Sequence, residues 1–175
     1  LAKVEQLRQQ GGATVLDWQV PVREVALELA PLMAEGGIDF DIHTQAAPVR
    51  AHDWALRELT RNLLHNAIKL SRPQGQLGVR LSVSATRATL CIADSGPGLP
   101  AETLDRIFEP FVTAVEGGTG LGLWLAQQIA HRHRGRLFHE PVQPHGARFV
   151  FEMPLLRPDD LRSDDGAGSA GEVMA

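Results

Sequence analysis

The sequence predicts an α/β two-layer sandwich, a mixed β-sheet with helices on one face. Three observations carry that expectation. Residues 38–43 and 78–93 contain runs in which apolar and polar side chains alternate, the signature of half-buried strands. Residues 53–70 instead place Leu56, Leu59, Leu63, Ala67 and Leu70 on one arc at about 100° per residue, a helix with one apolar stripe. The order helix, strands, helix, hairpin, helix, strands lets neighbours in sequence fill both layers.

Taken in order, Leu1, Val4 and Leu7 have helical spacing and read as the end of an upstream helix, stopped by Gly11-Gly12. Residues 13–18 are a short extended piece. Pro21 opens a helix that puts Val25, Leu29 and Leu32 on one face and stops at Gly36-Gly37. Residues 38–43 form a strand, and 48–51 suggest a second. Asp53 suits the N-cap of the long helix that follows, which Ser71-Arg72-Pro73 breaks. Residues 78–85 and 88–93 read as a hairpin with Val79, Leu81 and Val83 on its buried face. A short helix spans 101–107, a longer one runs from the glycines at 117–122 to about His133, and 136–139 and 147–153 are the closing strands. From Arg157 onward the chain is rich in Asp, Gly and Ser without periodicity and reads as a disordered tail. The expected organisation is thus 1–12 as helix end and linker, 13–156 as one domain and 157–175 as tail.

Composition narrows the function. The 175 residues carry a formal net charge of −4 without a basic stripe, which argues against nucleic acid as a partner. The single cysteine, Cys91, lies in an apolar run and reads as a core thiol. No apolar run approaches 18 residues and no signal-peptide pattern is present. A start at Leu1 without Met suits a segment of a longer chain, whose remainder is free to carry a membrane anchor.

Three stretches carry chemistry. Asn62, Asn66 and Lys69 share a narrow arc of the long helix, with Glu58, Arg61 and His65 continuing the polar side. Asn is a poor helix former, so two of them one turn apart need a reason. A solvated face would place them there by accident; a hard cation held by carboxamide oxygens, with the lysine neutralising phosphate, would require them. Asp94 ends a strand just before Gly96 and Gly98. A carboxylate at an apolar strand end is costly unless something donates to it, and a purine amine would do so. The same residues also make a plain turn. Gly118, Gly120 and Gly122 lie where loop becomes helix, where unpartnered N–H groups and the helix dipole favour an anion.

The order of these segments, with Phe108-Glu109-Pro110-Phe111 between the last two, resembles the N, G1, F and G2 boxes of sensor histidine kinases. Those kinases belong to an ATPase superfamily shared with type II topoisomerases and heat-shock chaperones. The resemblance covers about residues 13–154, including Arg134-Gly135-Arg136-Leu137 and Gly146-Ala147-Arg148-Phe149 as closing strands. It implies a Bergerat fold that binds ATP with Mg²⁺ and transfers the γ-phosphoryl group to a histidine on an adjacent dimerisation domain. By the resemblance, Asn66 is the Mg²⁺ ligand, Lys69 contacts phosphate and Asn62 sits near both. Asp94, Gly96 and Gly98 take the adenine. Gly118, Thr119, Gly120, Leu121 and Gly122 line the triphosphate, and Phe108 and Phe111 anchor a mobile lid. It also implies a dimerisation and phosphoacceptor domain of the same protein, a response regulator, a homodimeric parent and a cytoplasmic location beneath a bacterial inner membrane.

Some positions depart from the family pattern. Leu70 stands where tyrosine is common. The lid is short, and residues 112–117 hold Glu116 but no Lys or Arg. The phosphoacceptor box is missing: His139-Glu140-Pro141 imitates its letters but follows the G2 box beside a strand. His131 and His133 read as polar residues at a helix end, where positive charge is favourable. Two other functions stay open, an ATP-hydrolysing switch and a nucleotide-binding regulatory module. Relatives that hydrolyse usually carry Glu where this chain has Asn62, which weighs against the first.

Overall fold

A computed structural model describes residues 12–71, 73–113 and 118–162. Strand β1 (Thr14–Asp17) pairs antiparallel with β3 (Pro48–Ala51) as a small separate sheet. Helix α1 (Gln19–Glu35) and strand β2 (Asp39–His43) lie between them in sequence. After β3 come α2 (Asp53–Leu70), the hairpin β4 (Gln76–Val83) and β5 (Arg87–Asp94), and the single turn α3 (Ala101–Leu104). Helix α4 (Gly122–Arg132), strands β6 (Arg136–Pro141) and β7 (Ala147–Pro154), and α5 (Pro158–Arg162) complete the described chain. The main sheet has the order β2-β4-β5-β7-β6, with β2 parallel to β4 and every other pair antiparallel. It is the expected mixed sheet, in a two-layer α/β sandwich.

Alternation decides which face is covered. Leu77, Val79 and Leu81 of β4, Leu90 and Ile92 of β5, and Phe149 and Phe151 of β7 are buried. Against them α2 sets Leu56, Leu59, Leu63, Leu64 and Ala67, each at most 1% exposed. Full burial of one such leucine contributes about 1.5–3 kcal/mol, so this stripe holds α2 to the sheet. Trp18 locks the far end, edge-on to Phe151 at 5.2 Å between ring centroids.

Several local expectations are corrected. Helix α1 starts at Gln19 with Pro21 in its first turn, and its stripe continues from Leu29 to Met33; Leu32 lies on the flank and is exposed. Asp53 is the first residue of α2 rather than its cap, and its carboxylate accepts from Arg57 Nε at 2.7 Å. The short helix expected over 101–107 stops at Leu104, because Ile107 turns into the core. Cys91 is not a core residue: β5 alternates, and Cys91 points to the sheet face that no helix covers, beside Arg80 and Arg148. Burial nevertheless pushes its thiol up in pKa. His133 is buried rather than a charged helix-end residue; burial lowers its pKa. The tail expected to lack structure opens with α5, where Asp160 accepts the Arg157 N–H at 3.0 Å. The expected upstream helix at residues 1–10 and the core of the lid at 114–117 lie outside the described residues. Among the described residues no helix is long and apolar enough to cross a membrane.

Candidate functional site

The polar arc of α2 lines a cleft of about 140 Å³ between α2, the loop at 112–113 and the entry to α4. Asn62, His65, Asn66 and Lys69 form one wall, and Gly118, Thr119, Gly120, Gly122 and Leu123 the other, with Val112 and Thr113 at the rim. Two segments some fifty residues apart in sequence thus meet because α2 and α4 pack side by side over the sheet.

The glycines make this approach possible at two points. Gly120 has φ +73°, and a Cβ there would stand 2.5 Å from the Phe111 backbone carbon. Its carbonyl accepts the Phe111 N–H at 2.9 Å, so residues 111 and 120 are joined through the backbone. Gly122 lies against the Asn62 side chain, where a Cβ would be 3.5 Å from Oδ1. Among the described residues no side chain caps the N-terminus of α4. The N–H groups of its first turn therefore remain donors toward the cleft.

The α2 wall suits a cation and an anion together. The amide nitrogens of Asn62 and Asn66 are buried without a partner among the described residues. An amide turned by 180° presents its oxygen in the same place at no packing cost, so these positions fit a metal-facing oxygen. Lys69 is exposed and forms no ion pair among the described residues. Burial, and then the charge of Lys69, lower the pKa of His65. No group of three or more His, Cys, Asp or Glu able to hold a metal occurs among the described residues. A cation here would depend on amide and phosphate oxygens.

Asp94 sits outside that cleft but at the same end of α2. The carbonyl of Leu70 presses on Gly96 so closely that a Cβ on Gly96 would be 2.2 Å from it. Asp94 is 3% exposed. Its Oδ1 accepts from the N–H groups of Gly96 at 2.9 Å and Ala147 at 3.4 Å. Its Oδ2 is buried and has no partner among the described residues. Burial raises the carboxyl pKa, against the two N–H groups that pull it down. Gly98, with φ +82°, packs on Gly146 of the β6–β7 turn.

Not every expected residue joins the site. Leu121 does not line the cleft; it is exposed at the surface, and its N–H reaches Thr119 Oγ1 at 3.4 Å. Phe111 is 76% exposed, with φ +67°, and its ring has no aromatic partner among the described residues; Phe108 does pack, edge-on to Phe149 at 6.2 Å. His139 stands on β6 against Phe149 at 5.6 Å, with its pKa lowered first by burial. The Ala147 N–H on Asp94 is not legible in the sequence, because its only local signal is a glycine before a strand.

A sequence profile described as histidine kinase-, DNA gyrase B-, and HSP90-like ATPase matches residues 52–157. Sensor protein ChvG of Agrobacterium fabrum is 40% identical over 118 residues, which is 61% of this chain and 20% of ChvG. The chain thus spans about a fifth of that relative's length. The structure of a mycobacterial sensor histidine kinase, MprB, superposes with a TM-score of 0.74 at 28% identity, covering 82% of this chain and 97% of that one. The histidine kinase ThkA, solved with the response regulator protein TrrA, gives 0.72 at 26% identity over 82% of this chain and 42% of that one. With its fold, its cleft and this match over most of its length, the chain belongs to the histidine kinase-, DNA gyrase B-, and HSP90-like ATPase family.

Proposed function

We propose that this chain is the ATP-binding catalytic domain of a two-component sensor histidine kinase, acting on a histidine of a dimerisation domain elsewhere in the same protein. One observation carries the reading: the Oδ2 of Asp94, buried and without a partner among the described residues, at a glycine-shaped strand end. Leaving such an acceptor unsatisfied costs about 1–3 kcal/mol, and an adenine amine satisfies it. The triphosphate then runs along α2 toward Lys69 and the N–H groups that open α4. Asn66, with Asn62 beside it, would hold Mg²⁺, which when bound neutralises charge on the phosphate oxygens.

The protein's own residues orient rather than react. Asp94 fixes the base, and Lys69 and the α4 N-terminus offset negative charge as it shifts during phosphoryl transfer. The nucleophile is the imidazole of the acceptor, which needs no strong base on this domain. Among its described lining residues the cleft has no carboxylate. Glu58, one turn before Asn62, is buried and bound to Arg61 at 3.1 Å instead. Both facts favour transfer to a partner over activation of water. A response regulator as the next phosphoacceptor, a homodimeric parent and an inner-membrane anchor outside this chain complete the proposal.

The test is incubation with γ-labelled ATP and Mg²⁺, with and without a separately supplied dimerisation domain. Acid-labile label should appear on that domain and not on the chain alone. Steady phosphate release without any transfer would replace the kinase with a hydrolase.

A further inference from the structure

The loop that carries Asp94 is braced from outside its own motif. In the turn between β6 and β7, His145 Nδ1 lies 3.0 Å from the Gly96 carbonyl oxygen. A carbonyl only accepts, so Nδ1 carries the proton and donates. The next residue, Gly146, has φ +130° and lies so close to the Asp94 carbonyl that a Cβ would be 2.1 Å from its oxygen. Ala147 follows, with its N–H at 3.4 Å from Asp94 Oδ1. Val142 N–H closes the turn on the Gly146 carbonyl at 3.3 Å. Three consecutive residues therefore hold three points of one loop: Gly96 O, Asp94 O and Asp94 Oδ1.

The direction of Oδ2 depends on that grip. Oδ1 is fixed by Gly96 N–H and Ala147 N–H, and Oδ2 points where the remaining geometry leaves it. A fixed carboxylate oxygen accepts from an exocyclic amine and repels an exocyclic carbonyl, which is the difference between adenine and guanine at that edge. A carboxylate free to swing loses the distinction, because it can turn away from the carbonyl and no longer meets the amine squarely.

We propose that His145 is a positioning residue for purine selectivity: by donating to Gly96 O it keeps the Asp94 carboxylate aimed at an adenine amine. The inference deepens the nucleotide reading of the site and rests on it. His145 touches the loop and not the base, and its effect passes through Gly96 to Asp94.

The experiment titrates the whole chain with ATP and with GTP, in Mg²⁺, for wild type, Asp94→Asn, His145→Ala and His145→Asn. The asparagine amide nitrogen sits close to where the imidazole Nδ1 does, so the last variant keeps the donor. Wild type should prefer ATP, and Asp94→Asn should abolish the preference. His145→Ala should lower the ATP-over-GTP ratio by about three- to ten-fold, the loss of one hydrogen bond, chiefly by weakening ATP. His145→Asn should restore it. Equal loss for both nucleotides in His145→Ala would mean a merely structural turn, and failure of the asparagine to rescue would rule out the donated bond; either overturns the inference. If Asp94→Asn loses the preference while His145→Ala keeps it, the role of His145 falls and the nucleotide reading stands. If Asp94→Asn keeps the preference, both fall.

Discussion

Gly96→Ala probes one of the closest backbone contacts around the proposed base pocket. The φ of Gly96 is not in the left-handed region, so alanine meets no backbone strain and the substitution is a pure test of space. Its Cβ would stand 2.2 Å from the Leu70 carbonyl oxygen and 3.0 Å from Asp94 Oδ1. The first distance is at least about 1 Å inside van der Waals contact. The Leu70 carbonyl belongs to the last turn of α2, held by the buried leucine stripe, so the loop must give way. As it moves, Gly96 N–H leaves Asp94 Oδ1, now 2.9 Å away. A hydrogen bond to a charged group is worth about 1.5–3 kcal/mol, so ATP affinity should fall roughly 10- to 100-fold. Overpacking costs about 1–3 kcal/mol of stability, which a domain with about 5–15 kcal/mol survives. Calorimetric titration of ATP beside thermal unfolding reads both effects. Gly12→Ala, with nothing within 4 Å of the added methyl, should change neither. Unchanged ATP affinity in a folded Gly96→Ala chain would refute the claim that this contact sets the pocket.

Lys69→Met should change stability by no more than about 0.5 kcal/mol, as for most surface sites, while weakening ATP and sparing adenosine; equal weakening of both ligands in a binding titration would remove the lysine from the phosphates. Phe111→Ala should also leave the melting temperature nearly unchanged, because the ring is 76% exposed, whereas Phe108→Ala should cost about 3 kcal/mol in denaturant unfolding. Acid stability tests His133, which donates through Nδ1 to Ile129 O and accepts His52 N–H at Nε2. Its pKa is lowered below 6.5 in the fold, so the unfolded chain binds the extra proton first. Stability is full above 6.5 and is lost as pH falls from there toward the folded value; His133→Gln should flatten that part of the melting-temperature profile relative to wild type. Asp94 has the opposite sign: its pKa is raised above 3.8, so its cost grows as pH rises through that window. Asp94→Asn should therefore melt no lower than wild type at neutral pH even as it loses ATP, and a lower melting temperature would count against the burial argument.

Much of this protein was legible in one dimension because periodicity is a local property. The stripe Leu56, Leu59, Leu63, Ala67 sets α2 against the sheet whatever the partner strand, and the alternation in β4 and β5 fixes which side faces it. The same helix spacing put Asn62, Asn66 and Lys69 together, and breaks at Gly118, Gly120 and Gly122 marked where a helix begins. Pattern could not say whether the second face of the sheet is covered as well, and so did not place Cys91: an apolar run looks the same whether one face or both are covered. Nor could it say that Phe111 turns outward, since its position follows from the Phe111 N–H to Gly120 O bond across a loop. The state of His133 needed the packing of α4 against the start of α2, where burial outweighs the helix end. The proposed base pocket depended most on tertiary structure. Asp94 was visible as a costly carboxylate, but its Oδ1 is shared between the local Gly96 N–H and the Ala147 N–H some fifty residues later, and only the folded chain leaves Oδ2 buried without a partner among the described residues.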